Sequence, residues 1–194
     1  MTPLTTQRLI LVPATAELAH AESEDPEHLW HLLRCDPPSA WPPPLNDQDS
    51  MKWYADFLAA YPGSVGWGLW YFLLQRSDQN PLPIGNGGFK GLPTADGTVE
   101  VGYSILAEHQ RQGYAPEAVH ALLGWAFSHP HVSRVIAHTL PDLTPSIRVL
   151  EKCSFHFVGE GTEEGAILYA LRREEFSAGA PERHERPPER SLQR

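Results

Sequence analysis

Cysteine and basic residues are scarce in this sequence, and each scarcity excludes a class of protein. The only cysteines, Cys35 and Cys153, form no CxxC pair, so neither a disulfide framework nor a zinc cluster is predicted. Cys153 falls on the packed face of a predicted helix, which is typical of a buried thiol rather than a nucleophile. The 15 basic residues face 24 acidic ones, for a formal net charge of -9. Such a chain repels a phosphate backbone, so we expect no nucleic-acid partner.

Long apolar runs are missing as well. No stretch of about 18 apolar residues occurs, and the first residues lack the basic and apolar regions of a secretory signal. The sequence therefore predicts a cytoplasmic protein with no membrane contact. Its ten histidines include no HExxH pair and no tight ligand set, so no metal site is predicted.

The sequence does contain enough apolar material for one compact domain. Apolar residues make up 41% of the 194 residues, and the length fits a single domain. Residues 177–194 are different, because they hold Pro, Arg, Glu and Ser with Leu192 as the only large aliphatic residue. That composition cannot offset the entropy of ordering. We predict a folded domain over residues 1–176 and a disordered tail over 177–194.

Hydrophobic periodicity predicts a mixed α/β domain. Steps of three and four predict helices, and short branched or alternating runs predict strands. Helices are expected over residues 15–34 in two pieces, after Asn46, after residue 112 and over 144–153. Strands are expected over residues 9–12, 66–74, 83–91, 98–106, 132–139, 155–159 and 166–171.

Two connections carry their own signals. The pair Asp96-Gly97 predicts the turn of a hairpin between the third and fourth predicted strands. Five prolines around Trp41 exclude helix and central strand, so residues 36–46 are predicted to form an extended loop. This loop either flanks a substrate site or is a surface loop with one packed Trp.

Residues 101–118 carry the clearest functional signal. They run from a predicted strand through a loop into an apolar helix that begins near Gly113. The first N–H groups of a helix have no internal partner, so such a helix start attracts an anion such as phosphate. Gly113 and Ala115 leave room for a ligand, and residues 110–112 offer donors. From the spacing alone, an ordinary helix start that needs a Gly explains the pattern equally well.

The motif Gln110-x-x-Gly113-x-Ala115 resembles the acyl-CoA pyrophosphate loop of the GNAT N-acetyltransferase superfamily. Other segments are similar to the branch that includes the ribosomal-protein N-terminal acetyltransferases. They are the strand residues 97–104, the helix start 113–118, the helix 146–152 and the opening residues 6–11. The likeness covers about residues 5–176 in the family's order.

This resemblance implies the GNAT fold, an α/β domain whose mostly antiparallel central sheet is splayed at the acetyl-CoA site. It implies acetyl transfer to a primary amine, either a protein N-terminus or a small amine, by direct attack in a ternary complex. It also allows a homodimer. Main-chain groups of the strand would hold pantetheine and the loop would hold pyrophosphate. The cofactor-binding residues assigned in this way are Ser104, Ile105, Leu106, Gln110, Arg111, Gln112, Gly113, Tyr114 and Ala115.

The resemblance also assigns catalytic residues. Glu100 corresponds to the acidic position that often acts as the base through water; its alternative role is that of an exposed strand carboxylate. Ser146 matches the serine near the sulfur and can hydrogen-bond the leaving thiolate, or it is a helix-start hydroxyl. His109 and His138 can approach the cleft as second candidates for the base. Glu117 is assigned instead to the positive end of the helix.

The chain departs from that branch at several positions. Leu143 replaces an Asn, Ser154 replaces a Gly, and Arg111 replaces a frequent Gly, while Leu150 stands where other members carry a Tyr. These changes bear on catalysis more than on cofactor binding. Two alternatives therefore stay open: a non-catalytic acyl-CoA-binding or regulatory module, and a sheet-based partner-binding protein without a cofactor.

Overall fold

The predicted strand segments lie in one eight-stranded sheet. A computed structural model describes residues 2–44, 46 and 48–178. The strands are β1 (Leu4–Thr5), β2 (Leu9–Pro13), β3 (Leu69–Leu74), β4 (Leu82–Phe89), β5 (Thr98–Ile105), β6 (Arg134–Thr139), β7 (His156–Glu160) and β8 (Ile167–Arg172). Their order is β1-β2-β3-β4-β5-β6-β8-β7. The pair β5–β6 is parallel and the other neighbouring pairs are antiparallel.

Helices cover both faces of this sheet. They are α1 (Ala16–Glu24), α2 (Pro26–Leu33), α3 (Gln48–Ala60), α4 (Tyr114–Phe127), α5 (Thr144–Lys152) and α6 (Arg173–Ala178). Thr15 caps α1 by accepting the Leu18 N–H at 3.2 Å. Periodicity did not predict α6, which includes residues 177 and 178 of the predicted tail. The rest of that predicted tail, residues 179–194, lies outside the described residues.

The aromatic residues of β3 pack on both faces of the sheet. Alternate strand residues point to opposite faces, so Trp70 and Phe72 join the core beneath α4, while Tyr71 joins a second core beneath α1 to α3. All three side chains are fully buried. Each face of the sheet therefore has its own hydrophobic core.

The sheet is splayed between β5 and β6, which confirms the expected fold. These strands pair at three positions, Thr98↔Arg134, Val99↔Val135 and Glu100↔Ile136. Beyond Glu100, β5 continues to pair with β4, and β6 continues to pair with β8. A gap therefore opens between β5 and β6, with Glu100 at its apex.

The connection before β5 is longer than the predicted two-residue turn. Residues 90–97 separate β4 from β5, and Gly97 has the left-handed φ of 78°. A Cβ at Gly97 would lie 2.3 Å from the His131 carbonyl oxygen, so the position requires glycine for space as well as for conformation. In the described ranges, no helix is long and apolar enough to cross a membrane.

Candidate active site

The loop before α4 directs main-chain donors toward one point. Arg111 and Gly113 adopt the left-handed φ values of 60° and 83°, and such conformations turn successive N–H groups to one side. Within the described residues, the N–H groups of Arg111, Gln112 and Gly113 donate to no protein acceptor. The 14-residue helix α4 adds the positive end of its dipole. This geometry suits a phosphate group.

The side chains of the same loop brace it from within. Gln110 Nε2 donates to the Ile105 carbonyl at 2.9 Å, and Gln112 Nε2 donates to the Glu108 carbonyl at 3.0 Å. The Leu106 N–H donates to the Ile84 carbonyl at 2.8 Å. The two glutamine amides and the Leu106 N–H are therefore engaged within the protein, which leaves main-chain N–H groups of the loop to meet an anion.

A charged clamp joins the start of β2 to the start of α4. Glu117 accepts hydrogen bonds from Thr6 Oγ1 at 2.6 Å, from the Arg8 N–H at 2.8 Å and from Arg8 Nε at 2.7 Å. Arg8 also donates to the Gln112 carbonyl at 2.9 Å and lies 4.4 Å from the centre of the Tyr114 ring. Glu117 thus fixes the loop.

The same clamp sets the ionisation of Glu117. Burial raises the pKa of this carboxyl, but the hydrogen bonds from Thr6 and Arg8 outweigh burial, so the net pKa is lower than usual. An ionised and fully engaged carboxylate is a poor base. The sequence contains Thr6 and Arg8 in its opening motif, yet nothing local connects them with a residue more than a hundred positions away.

Glu100, the predicted base, lies between two nitrogens. Its Oε1 is 2.5 Å from Lys90 Nζ and 3.0 Å from His138 Nδ1, at ion-pair distance but without the angles of a hydrogen bond to either. The Thr162 N–H donates to His138 Nε2 at 3.4 Å, which assigns the ring proton to Nδ1, facing Glu100. The structure thus brings His138 to Glu100.

The other histidine candidate lies elsewhere. His109 ends a short 3-10 turn before the loop that leads into α4, and its ring centre is 6.4 Å from that of Tyr114. It therefore sits beside the start of α4 rather than beside Glu100.

Three segments of the chain meet on the face of β5 that carries Glu100. Ser104 shares this face, and its hydroxyl donates to the Pro44 carbonyl at 2.5 Å, so the proline-rich loop covers the end of β5. Tyr54 of α3 lies near Glu100: burial, and then the charge of Glu100, raise the pKa of the Tyr54 phenol to about 12. The loop, α3 and Lys90 therefore surround Glu100.

Ser146 approaches the gap from the opposite face. Tyr103 points to that face, and its hydroxyl lies 3.2 Å from the Ser146 carbonyl and 3.4 Å from Ser146 Oγ. Burial raises the pKa of Tyr103 well above its usual range, so the phenol stays protonated. Leu150 is buried and offers no polar group. A phenol from β5 therefore stands at the first turn of α5, and the alternating pattern of β5 gave no sign of this role.

Two departures from the family pattern are resolved by backbone geometry. Arg111 and Ser154 adopt left-handed φ values of 60° and 64°, a conformation that Gly adopts more readily than other residues. Cys153 is buried, and burial raises the pKa of its thiol to about 12. It is therefore a packed thiol, as predicted.

Comparisons with known proteins agree with this architecture. Residues 8–156 match the family described as the acetyltransferase (GNAT) domain. An uncharacterized N-acetyltransferase of Bacillus subtilis (strain 168), YjdG, is 29% identical over 174 residues, which cover 89% of this chain and 100% of that protein.

Two solved structures share the fold. The ribosomal-protein-S5-alanine acetyltransferase from Vibrio fischeri has a TM-score of 0.62 at 18% identity, over 91% of this chain and 99% of that one. The microcin C7 self-immunity acetyltransferase MccE, solved with acetyl-CoA and AMP, has a TM-score of 0.56 at 15% identity, over 86% of this chain and 93% of that one. With its splayed sheet and its match over residues 8–156, the chain belongs to the GNAT acetyltransferase family and is an acyltransferase.

Proposed function

We propose that the protein transfers an acetyl group from acetyl-CoA to a primary amine, by direct attack within a ternary complex. The acceptor is a protein N-terminus or a small amine. The main support for this proposal is the gap between β5 and β6. The loop of residues 111–113, with its free N–H donors, and the ion-paired carboxylate of Glu100 both lie beside this gap. The fold shared with MccE, which was solved with acetyl-CoA, supports the choice of donor.

The residues along the gap fit this co-substrate. The N–H groups of residues 111–113 would hold the pyrophosphate, with Tyr114 and Ala115 forming the first turn of α4 beneath it. Ser104, Ile105 and Leu106 would follow the pantetheine chain. Thr139, at the end of β6, has a buried hydroxyl without a partner among the described residues. A buried group of this kind suits a ligand with amide groups.

The chemistry needs one proton acceptor and one stabiliser of the leaving group. Bound acetyl-CoA supplies an acetyl thioester, whose carbon–sulfur bond breaks as the amine nitrogen bonds to the carbonyl carbon. Glu100 accepts the amine proton, directly or through water, while Lys90 and His138 hold its carboxylate in place. The Ser146 hydroxyl hydrogen-bonds the departing thiolate, and Tyr103 fixes Ser146 on the first turn of α5.

The charge and the cysteines support two coarser parts of this proposal. A net charge of -9 attracts a cationic amine more readily than an acidic one. Cys35 and Cys153 are buried and unpaired, which suits a reducing compartment. We therefore place the reaction in the cytoplasm.

A non-catalytic acyl-CoA-binding module is the second candidate. Leu143 precedes α5 without a side-chain cap, and neither it nor Leu150 offers a polar group to a cofactor. A module that had lost turnover would keep the loop and tolerate both leucines.

The deciding experiment is a thermal-shift titration with acetyl-CoA and CoA, followed by a thiol-release screen against amines and N-terminal peptides. Ligand at about 100 times Kd stabilises the fold by roughly 2.7 kcal/mol, which corresponds to a rise in Tm of about 5 to 10 °C at this size. Amine-dependent thiol release supports the enzyme. A shift without turnover supports the binding module, and no shift contradicts both.

A further inference from the structure

An open patch lies on the acceptor-side face of the sheet, beside Glu100. A Cβ added to Gly102 would meet nothing within 4 Å, so the space above this residue is free. Glu100 and Ser104 flank Gly102 on the same face, two residues away on either side. On β4, Gly88 pairs with Gly102 and Asn86 pairs with Ser104. Polar side chains therefore lie around the open space above Gly102.

Asn86 is the residue of this patch whose amide donor is buried without a hydrogen bond. Its side chain is 2% exposed, and its Nδ2 has no hydrogen-bond partner among the described residues. A buried amide donor without a partner is costly and rare in native proteins. A donor retained under these conditions suits a ligand that completes it.

The neighbours of Asn86 are already engaged. In register with Asn86 on β3, Tyr71 donates its hydroxyl proton to Glu22 at 2.7 Å. On β5, Ser104 donates to the Pro44 carbonyl at 2.5 Å. Both hydroxyl oxygens could still accept a hydrogen bond, but neither is within hydrogen-bonding geometry of Asn86 Nδ2, so a partner for this amide has to come from outside this row of the sheet.

The wall over this row is held in place. Trp41 of the proline-rich loop donates its indole N–H to the second oxygen of Glu22 at 2.7 Å, and its ring packs edge-on against Trp30 at 5.2 Å. The buried carboxylate of Glu22 thus accepts hydrogen bonds from both the loop and Tyr71. The wall beside Asn86 is therefore formed before any acceptor binds.

Sheet geometry limits what the amide can reach. Diagonal neighbours on adjacent strands, such as Asn86 and Gly102, lie roughly 7 to 8 Å apart at their backbones. An amine nitrogen placed above Gly102, within reach of Glu100, would lie a few ångströms from Asn86 Nδ2. An oxygen three bonds from the amine nitrogen, as in an α-amino amide, spans that interval.

We propose that Asn86 determines acceptor specificity, by donating a hydrogen bond from Nδ2 to an oxygen of the acceptor close to its reacting amine. The acceptors favoured are amines with a carbonyl oxygen three bonds from the nitrogen, over plain alkylamines. This inference rests on the proposed acetyl transfer.

The test compares two amines of the same shape. Alaninamide carries the carbonyl oxygen, and 1,2-dimethylpropylamine replaces its amide with an isopropyl group. The wild-type protein is expected to acetylate alaninamide with the higher kcat/KM. In Asn86→Leu, which keeps the number and branching of the side-chain heavy atoms and removes the donor, the ratio of the two kcat/KM values falls about tenfold, mainly through KM.

Two further measurements separate recognition from folding. Asn86→Leu is expected to keep the wild-type Kd for acetyl-CoA and to keep or raise Tm, because an unpaired buried donor is removed. Should Asn86→Leu fail to fold, Asn86→Ala is measured in its place, with the same fall in the ratio expected.

Several results overturn the inference. They are an unchanged ratio in a folded variant, an equal loss with both amines, a weakened affinity for acetyl-CoA, and acetylation of the alkylamine in preference to alaninamide by the wild-type protein. Each of these leaves the proposed transfer reaction standing. Absence of thiol release with every amine of the screen overturns the proposed function together with this inference.

Discussion

The loop before α4 and the face of β5 around Glu100 are built in opposite ways. The loop offers main-chain N–H groups from one contiguous segment, in which Arg111 adopts the left-handed conformation that Gly favours. The face around Glu100 collects side chains from separate strands, and Lys90 and His138 both meet one carboxylate oxygen. A main-chain site tolerates side-chain changes, whereas a side-chain site depends on each member. Binding of the donor and catalysis should therefore respond to different substitutions.

The largest effect is expected for Glu100→Gln. This change keeps the shape and removes the proton acceptor, so kcat should fall at least about 100-fold. The Kd for acetyl-CoA, measured by calorimetry, should stay within about twofold because the loop does not involve this side chain. A normal kcat in a folded Glu100→Gln protein would falsify the role of Glu100 as base.

A substitution in the loop should show the reverse pattern. Gly113→Ala places a Cβ on a residue with the left-handed φ of 83°, 3.4 Å from Arg8 Nη2. Because this strains the loop, we expect the Kd for acetyl-CoA to rise about tenfold. Gly165→Ala is the matched control, since Gly165 has φ 78° and open space around an added Cβ. Both variants should lose similar stability in urea. An equal change of Kd in both would mean that the loop does not bind the donor.

A smaller effect is expected where the clamp supports the loop. Because the folded pKa of Glu117 is lowered, its ionised form stabilises the fold at pH values above the usual carboxyl pKa of 4.5. That stabilisation is lost as pH falls through the folded pKa. Glu117→Gln should therefore cost about 1 kcal/mol of unfolding free energy at neutral pH.

The pH dependence gives this prediction its control. The difference between wild type and Glu117→Gln, measured by urea unfolding, should shrink steadily below pH 4.5. Glu164→Gln changes an exposed carboxylate and should show no such difference. A difference in unfolding free energy that does not shrink in acid would contradict the stabilising role of the clamp.

The smallest effect is expected at the end of α5. Ser154 holds a left-handed φ of 64°, and the N–H of Phe155 donates to the Leu150 carbonyl at 3.0 Å, as in a helix end that usually carries Gly. Ser154→Gly should raise the unfolding free energy by about 0.5 kcal/mol and leave kcat unchanged. A loss of stability would show that the Ser side chain contributes contacts of its own.

The comparison between loop and face also explains what could be predicted. The loop was found because strand, turn and helix start follow one another in the chain, and each has a local signal. Two short elements escaped detection: β1 has two residues, too few for a period. The helix α6 is polar apart from Ala178 and Phe176, and Phe176 packs against Phe127.

The partners of the site residues could not be predicted in the same way. His138 is one histidine among ten in the sequence, and it meets Glu100 only because β6 runs parallel to β5 with Glu100 opposite Ile136. The sequence predicts Asn86 only as part of a strand, and its buried amide without a partner is visible only in the folded structure.

The sequence by itself determined the α/β class, the order of the longer helices and strands, and the turn that aims N–H groups at one point. These features depend on residues that are close along the chain, through periodicity, glycine conformation and the unpaired donors of a helix start. Only the tertiary structure decided which carboxylate meets which histidine, which phenol reaches Ser146 and which buried amide is left free. Those contacts depend on strand register and on a parallel crossover, which join residues that no local pattern connects.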